Sequence, residues 1–405
     1  MIHKILLRLS LLMLLPLCAN ERSWTSSSGT TITATLVSQQ GAKLTLRTVE
    51  GREIQLNKSQ LSAADQQYLE SLTAAETAQP EPQRSERRSG RRQRGVPGWE
   101  NWDEDWPKLV KTSKDFEISE GEQNEKYATH AYVYHSPHFT FYSDARLNTS
   151  LVKKFAWYFE SSRNYLAHLP LTLSRTQETQ RHEIVLYEHK EDYHKNGGPE
   201  SSAGVYMGGA DVILVPFVSV GMKKVGSGYA VDHDGTNKTL SHEIVHSYTD
   251  GPYYAEGSRG WFTEGLADYV GVTPYRSGIF QPSRSLDRVR DYVTAFDKDS
   301  NRGRNIGTEL QVGSLEAFMM QPYSQFTSDA NFNYGVGTLL VAYFVDIKRD
   351  TELENLKNFL RGLRDGKEGT EALAVLLNGR TMLELEEDIR KAWRGKGVDF
   401  TFSKD

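Results

Sequence analysis

Hydrophobic and polar residues alternate along the N-terminal part of the chain at the period of two that a half-buried β-strand requires. Apolar positions recur in this way at residues 32–36, 44–49 and 54–56, and glycine-containing turns separate the runs. Runs of this length that are bounded by turns are typical of short antiparallel strands. The pattern predicts a small antiparallel barrel or sheet within residues 20–71.

A polar stretch at residues 72–106 interrupts this pattern. It is rich in Ala, Glu, Gln, Pro, Ser and Arg and has no apolar period, so we expect a disordered linker. Arginines clustered between residues 84 and 94 make the stretch basic. Such a run is either a solvated tether or a contact for an anionic polymer or a cell surface, and the tether is the favoured interpretation.

From residue 107 onward the chain shows the periods of both strands and helices, which predicts an α+β fold. Apolar runs at 132–142 and 184–187 predict strands. After residue 275, apolar residues recur about every 3.6 positions, as they do along a helix. We therefore divide the remainder into a mixed domain at 107–274 and a helical part at 275–405.

Single residues within the mixed domain support two further predictions. The strand at 212–217 contains Pro216, which cannot donate to a β-ladder, so we expect this strand at a sheet edge, where an extended peptide could add as another strand. His182, His189 and His194 flank the neighbouring strand without metal-ligand spacing. We expect these three histidines at the surface or in loops.

Composition and charge narrow the possible partners. The chain has 405 residues, of which 38% are hydrophobic and 25% charged, a composition typical of globular proteins. Its net charge of −5 gives no support for nucleic acid as a partner. Cys18 is the one cysteine of the sequence, which excludes zinc sites built from several cysteines.

Residues 1–19 have the organisation of a secretory signal peptide. Two basic residues precede an apolar core at 9–17, which is too short to span a membrane. Cleavage after Ala19 predicts an exported bacterial protein, either periplasmic, in the cell envelope or secreted, with no transmembrane span in the mature chain. A lipoprotein anchored through Cys18 is the less favoured alternative, because a bulky residue precedes that cysteine.

The residues with the clearest chemistry form a His-Glu-x-x-His motif. His242 and His246 are four positions apart, so they share one face of a helix and can bind one ion together. Glu264 can supply a third ligand, and Glu243 can act as general base on a metal-activated water. Asp268, one turn after Glu264, can accept a hydrogen bond from a ligand histidine. The set predicts one Zn²⁺ per chain, and packing histidines are the alternative.

Residues 240–271 resemble the gluzincin metallopeptidases, the clan of thermolysin and the aminopeptidases. The resemblance implies that His242, His246 and Glu264 bind zinc and that the motif glutamate is the general base. It implies a zincin-like mixed sheet with two zinc helices, followed by a helical C-terminal region. It also identifies Tyr334 as a candidate catalytic residue that stabilises an oxyanion, with a packing role as the equal alternative.

The N-terminal run at 20–71 resembles the SLA-type homology module, an SH3-like β-barrel found in exported bacterial proteins. This resemblance implies a binding or spacing module with a possible partner in the cell envelope and with no catalytic residues.

These observations predict an exported zinc-dependent metallopeptidase that hydrolyses peptide or protein substrates. Two alternatives belong to other classes. One is a zinc-binding scaffold or binding protein of the cell envelope without activity, and the other is a zinc hydrolase of a non-peptide amide or ester.

Overall fold

The chain divides into two compact units, Met1–Ser89 and Gly90–Asp405. The predicted signal peptide and the predicted linker up to residue 99 lie outside the residues that the structure describes. The computed structural model describes residues 22–27, 30–40, 43–48, 52–62, 65–66, 100–200, 202–236, 239–249, 260–295 and 303–403.

The N-terminal unit contains an antiparallel sheet whose strands follow one another as a meander. The strands are β1 (Arg22–Thr25), β2 (Thr31–Gln40), β3 (Lys43–Thr48) and β4 (Glu53–Asn57). They pair in the order β1-β2-β3-β4, and alternate side chains point to one face. The buried cluster on that face consists of Trp24, Ala34, Leu44, Leu46 and Leu61.

This sheet differs from the closed SH3-like barrel that the sequence led us to expect. Closure requires a continuous ladder between the first and last strands. Among the described residues, β1 pairs with β2 and β4 with β3, and a single bridge between Ser26 and Leu61 joins the two ends. The described strands therefore form an open sheet.

The second unit contains a large mixed sheet and several small ones. Its strands are β5 (Val110–Lys111), β6 (Ser119–Gly121), β7 (Tyr132–His135), β8 (Phe139–Ser143), β9 (His182–Tyr187), β10 (Val205–Met207), β11 (Val212–Pro216), β12 (Val220–Val225), β13 (Gly228–Thr236), β14 (Tyr275–Arg276), β15 (Ile279–Phe280), β16 (Glu309–Gly313) and β17 (Asp399–Phe402). The large sheet has the order β10-β11-β9-β8-β7-β6. Strand β9 is parallel to both of its neighbours, and the remaining pairs are antiparallel.

The edges of this sheet are β10 and β6, and the prediction that the strand containing Pro216 lies at an edge is wrong. Strand β11 lies between β10 and β9, and its five residues are buried. Within the part of the chain that the structure describes, strand β10 pairs with Val212–Leu214. Pro216 therefore lies beyond the end of β10, where its missing N–H breaks no ladder on that side.

Helices cover the sheet and make up most of the C-terminal half. They are α1 (Thr149–Ala167), α2 (Lys190–Lys195), α3 (Thr239–Tyr248), α4 (Gly260–Val272), α5 (Ser285–Thr294), α6 (Leu315–Met320), α7 (Tyr323–Phe326), α8 (Ala330–Ala342), α9 (Arg349–Arg364), α10 (Gly369–Leu377) and α11 (Met382–Arg394), with a π-helical turn at Tyr343–Ile347. The unit is α+β, as predicted. None of the described helices is long and apolar enough to cross a membrane.

Helices α4 and α8 approach each other closely at two glycines. A Cβ atom added at Gly265 would lie 2.5 Å from the backbone of Gly337, and one added at Gly337 would lie 2.7 Å from the carbonyl oxygen of Trp261. Real Cβ atoms do not approach so closely, so both positions need glycine. This contact places Glu264, the residue before Gly265, close to α8.

One hydrophobic core extends across the boundary predicted at residue 274. It includes residues of α1, α3, α4, α8 and α11, so the two predicted parts share their buried interior. Trp102 and Trp106, placed in the predicted linker, are buried in the same core. His182, expected at the surface or in a loop, is only 7% exposed. It is buried because it begins β9 and its ring packs against Tyr248 at 4.1 Å.

Candidate metal centre

Helices α3 and α4 bring three predicted ligands to one point. His242 and His246 lie one turn apart on α3, and Glu264 lies on the fully buried helix α4. The Nε2 atoms of the two histidines are 3.0 Å apart, and they lie 3.2 and 3.3 Å from Glu264 Oε2. Donor atoms from two different helices therefore converge.

The arrangement of these donors fits a small divalent cation. Tetrahedral Zn²⁺ with ligands at about 2.0–2.1 Å separates them by about 3.3 Å, and the three observed separations are close to that value. Glu264 Oε2 is buried and has no hydrogen-bond partner among the described residues. An unpartnered carboxylate oxygen costs free energy in a protein interior. A cation between the three atoms would satisfy it.

Asp268 contacts His242, one of the candidate ligands. His242 Nδ1 is 2.9 Å from Asp268 Oδ1, so an N–H at Nδ1 donates to the carboxylate and leaves Nε2 free to bind a metal. Burial by itself raises the pKa of Asp268, but the hydrogen bond and charge of His242, together with Arg304, hold that pKa below its usual value. Asp268 is therefore a carboxylate that orients His242.

The pocket favours positive charge. Burial by itself lowers the pKa of His242, but the hydrogen bond to Asp268, the nearby carboxylate of Glu264 and the charges of Asp268 and Glu243 raise it to about 10. The same environment draws the pKa of Glu264 well below its usual value, against the effect of burial, through the two histidines. Both shifts reflect buried carboxylates that need a cationic partner.

Glu243 lies on α3, next to the edge strand β10 of the large sheet. Its side chain is 9% exposed, and Oε2 accepts a hydrogen bond of 2.8 Å from the backbone N–H of Tyr206 on β10. An edge strand has one row of backbone groups without a neighbouring strand. Glu243 thus occupies a position where α3 and the open side of β10 meet.

Tyr334 lies beside the site, on α8. Its ring stacks against that of His242 with centroids 6.1 Å apart and planes inclined by 11°. Burial, followed by the negative charge of Glu264, raises the pKa of its phenol, so the hydroxyl is protonated and able to donate. The structure brings Tyr334 to the ligand histidine but also packs its ring, so both sequence interpretations of this residue stay open.

Tyr323 and Arg304 contact the site although sequence reasoning did not identify them. The Tyr323 hydroxyl donates to Glu264 Oε1 at 2.7 Å, and Arg304 binds Asp268 with two hydrogen bonds. Tyr323 lies on the four-residue helix α7, and Arg304 lies in a loop. Neither residue has a spacing relationship to the motif, so no local signal could have found them.

Comparison with known proteins gives one match, in the N-terminal unit. Residues 15–77 match the family model of SLA1 homology domain 1, the module to which the sequence showed a resemblance at 20–71. The match covers a minor part of the chain and does not include the metal centre. No curated protein and no solved structure matches the chain.

The assignment of the chain to the gluzincin metallopeptidases is wrong, because no peptidase family model matches any part of it. That assignment rested on a dense match over only 240–271. A short set of ligand and base residues specifies chemistry, since any protein that binds zinc in this way needs the same donor types at the same spacing. It does not specify descent.

Proposed function

We propose that the second unit is a zinc-dependent hydrolase of peptide bonds. His242, His246 and Glu264 would hold one Zn²⁺, and Glu243 would be the general base. The observation that carries this proposal is the convergence of three donor atoms within 3.0–3.3 Å of one another, with the Glu243 carboxylate at the adjoining edge strand. A purely structural zinc site has four protein ligands, whereas three candidate ligands were found among the described residues.

Each residue has a defined part in the proposed mechanism. Bound zinc would act as a Lewis acid toward a carbonyl oxygen and lower the pKa of water to about 7. Glu243 would accept the proton of the attacking water and deliver it to the departing amine. The Tyr206 N–H holds the Glu243 carboxylate in place for this transfer. Tyr334 would donate its phenolic hydrogen to the developing oxyanion.

The position of β10 favours a peptide over other amides or esters. Among the described residues no strand pairs with the outer side of this strand, and the Tyr206 N–H on that side reaches Glu243. An extended peptide can pair with such an edge through its backbone, which would bring its amide bonds next to Glu243. An ester or a small amide gains nothing from a strand edge.

The finer description of the fold belongs to the same proposal. We expect a zincin-like catalytic domain to have a mixed sheet and two helices that carry the metal ligands. Here α3 adjoins the edge strand β10, and α4 carries the third candidate ligand. Export, on the strength of residues 1–19, and an envelope partner for the N-terminal unit are further parts of the proposal. They require an experiment on the full chain.

The direct test compares the wild-type protein with Glu243→Gln. Glutamine keeps an oxygen that can accept the Tyr206 N–H but cannot serve as the base, so zinc content should be unchanged while cleavage of casein or a peptide library falls by about 10²–10⁴-fold. Zinc is measured by elemental analysis of the purified protein. Stoichiometric zinc with no cleavage by the wild type would instead support an inactive scaffold, and cleavage of ester or non-peptide amide substrates alone would support the other alternative.

A second arm of this test uses Tyr334→Phe. If the Tyr334 hydroxyl is catalytic, the turnover number of this variant should fall. Its zinc content should be unchanged, because the ring and its stacking on His242 are retained. An unchanged turnover number would assign Tyr334 to packing.

A further inference from the structure

Arg304 holds the carboxylate that orients His242. Its Nε lies 2.8 Å from Asp268 Oδ2, and its second terminal nitrogen lies 3.0 Å from Oδ1. Oδ1 is also the atom that accepts from His242 Nδ1 at 2.9 Å. The paired bonds fix the plane of the carboxylate, because a guanidinium and a carboxylate match each other in a bidentate fork.

The backbone around Arg304 is fixed at both ends. The Arg304 N–H donates to the carbonyl of Tyr292 on α5 at 2.8 Å, and Asn331 on α8 donates its side-chain amide to the Arg304 carbonyl at 2.7 Å. A Cβ atom at Gly303 would lie 2.1 Å from the Tyr292 carbonyl oxygen, so this close approach requires glycine. The segment therefore presents Arg304 in one position.

The Arg304 side chain also contacts an aromatic ring of the site. Its guanidinium lies 4.8 Å from the centre of the Tyr334 ring, a distance at which a cation is attracted to the face of the ring. Tyr334 in turn stacks on His242. The ring contact packs the Arg304 side chain beside His242, and the hydrogen-bonded route from Arg304 to that histidine runs through Asp268.

We propose that Arg304 is a positioning residue for the metal centre, which sets the zinc affinity by fixing Asp268 against His242. This inference rests on the zinc site of the proposed function. It concerns a residue that touches no ligand directly, so its effect should pass through Asp268. A hydrogen-bonded partner behind a ligand histidine typically changes metal affinity by about 10- to 100-fold.

The decisive substitution is Arg304→Lys. A neutral residue at position 304 would remove a positive charge near the metal. That change by itself would strengthen the binding of a cation and would mask the loss of positioning. Lysine keeps the charge but has no planar fork. Positioning predicts that the zinc dissociation constant of this variant rises by about tenfold, whereas an effect of charge alone predicts no change. The measurement is a competition titration of the full chain against a chromogenic chelator.

A matched control is available at Arg349→Lys. Arg349 also binds a buried aspartate, Asp346, at 3.1 Å, and the exposure of this pair, 28% and 6%, is close to the 21% and 5% of Arg304 and Asp268. Asp346 bonds to Tyr269 and not to a ligand histidine. This control should keep the wild-type zinc affinity.

The route through Asp268 is tested by a double-mutant cycle. In an Asp268→Ala background, Arg304→Lys should leave the zinc affinity unchanged, because the carboxylate that transmits its effect is gone. The absorption spectrum of the cobalt-substituted protein should change in Arg304→Lys and stay as in the wild type in Arg349→Lys. Asn331→Ala, at an exposed position, should weaken zinc binding less than Arg304→Lys, and it tests the proposal if the lysine variant does not fold.

Four outcomes overturn the inference. Wild-type zinc affinity in both Arg304→Lys and Asn331→Ala excludes positioning, and so does an equal loss in Arg349→Lys. Additive effects of the Arg304 and Asp268 substitutions exclude the route through Asp268. A wild-type protein that binds no zinc overturns the proposed function as well, whereas a zinc-binding wild type with unaffected affinity in Arg304→Lys and in Asn331→Ala overturns this inference alone.

Discussion

The Tyr323 hydroxyl donates a hydrogen bond of 2.7 Å to Glu264 Oε1, while Glu264 Oε2 faces the two histidines. The two oxygens of one carboxylate thus have separate partners. Half of the Tyr323 surface is exposed, yet its hydroxyl reaches a buried carboxylate. The tyrosine therefore restrains the rotation of Glu264 and determines which oxygen is presented to a metal.

Tyr323→Phe should weaken zinc binding without abolishing it. The substitution removes the hydroxyl and keeps the ring, so the carboxylate loses one partner and is free to rotate. We expect the zinc dissociation constant to rise by about tenfold, measured by competition with a chelator. Tyr132→Phe, a change at a partly exposed tyrosine on β7, serves as the control. Equal affinities in Tyr323→Phe and the wild type would falsify this role.

The ligands and the orienting carboxylate should differ in the effect of their loss. His246→Ala removes one of three donors, so the purified protein should lose its stoichiometric zinc. Asp268→Ala keeps all three donors and frees the orientation of His242, so the dissociation constant should rise by about 10- to 100-fold. Elemental analysis and titration separate the two results. Zinc content in His246→Ala equal to that of the wild type would show the ligand assignment to be wrong.

His182 should make the protein less stable in acid. Burial, and then the charge of Arg175, lower the pKa of His182 from 6.5 to about 3. Below pH 6.5 the unfolded chain binds a proton that the native protein excludes, so stability decreases as pH falls from 6.5 toward 3. Between pH 7 and pH 5 this residue should reduce the free energy of unfolding by about 2 kcal/mol.

Urea unfolding at several pH values checks this expectation. The difference between pH 7 and pH 5 should shrink in His182→Gln and stay as in the wild type in His189→Gln, since His189 has an exposed ring. A pH dependence that is the same in His182→Gln and the wild type would assign the acid sensitivity to other groups.

Gly265→Ala should destabilise the second unit. The added methyl carbon would lie 2.5 Å from the backbone of Gly337, so α4 and α8 would have to separate. Overpacking of this kind costs about 1–3 kcal/mol, and we expect a lower denaturant midpoint together with weaker zinc binding, because Glu264 is the neighbouring residue. Gly209→Ala is the control, since nothing lies within 4 Å of its added carbon. A midpoint equal to that of the control would contradict the close contact.

Much of the fold follows from local patterns in the sequence. Alternation identified strands in the N-terminal unit, and the period of 3.6 identified the helical C-terminal half, because both patterns reflect which side chains one element buries. The location of the sheet edge did not follow. Pro216 shows only that one N–H is missing, and whether a neighbouring strand needs that N–H depends on the length of β10, a segment elsewhere in the chain.

The sequence by itself determined which candidate ligands share a helix face, because His242 and His246 are related by a single helical turn and Glu264 and Asp268 by another. These relationships are local and hold in any α-helix. Only the tertiary structure decided which groups surround the set. Tyr323, Arg304 and the Tyr206 N–H come from segments tens of residues away, and their approach depends on how the helices and the sheet pack. Packing distances between distant segments have no period in the sequence, which is why the candidate ligands could be predicted and the residues around them could not.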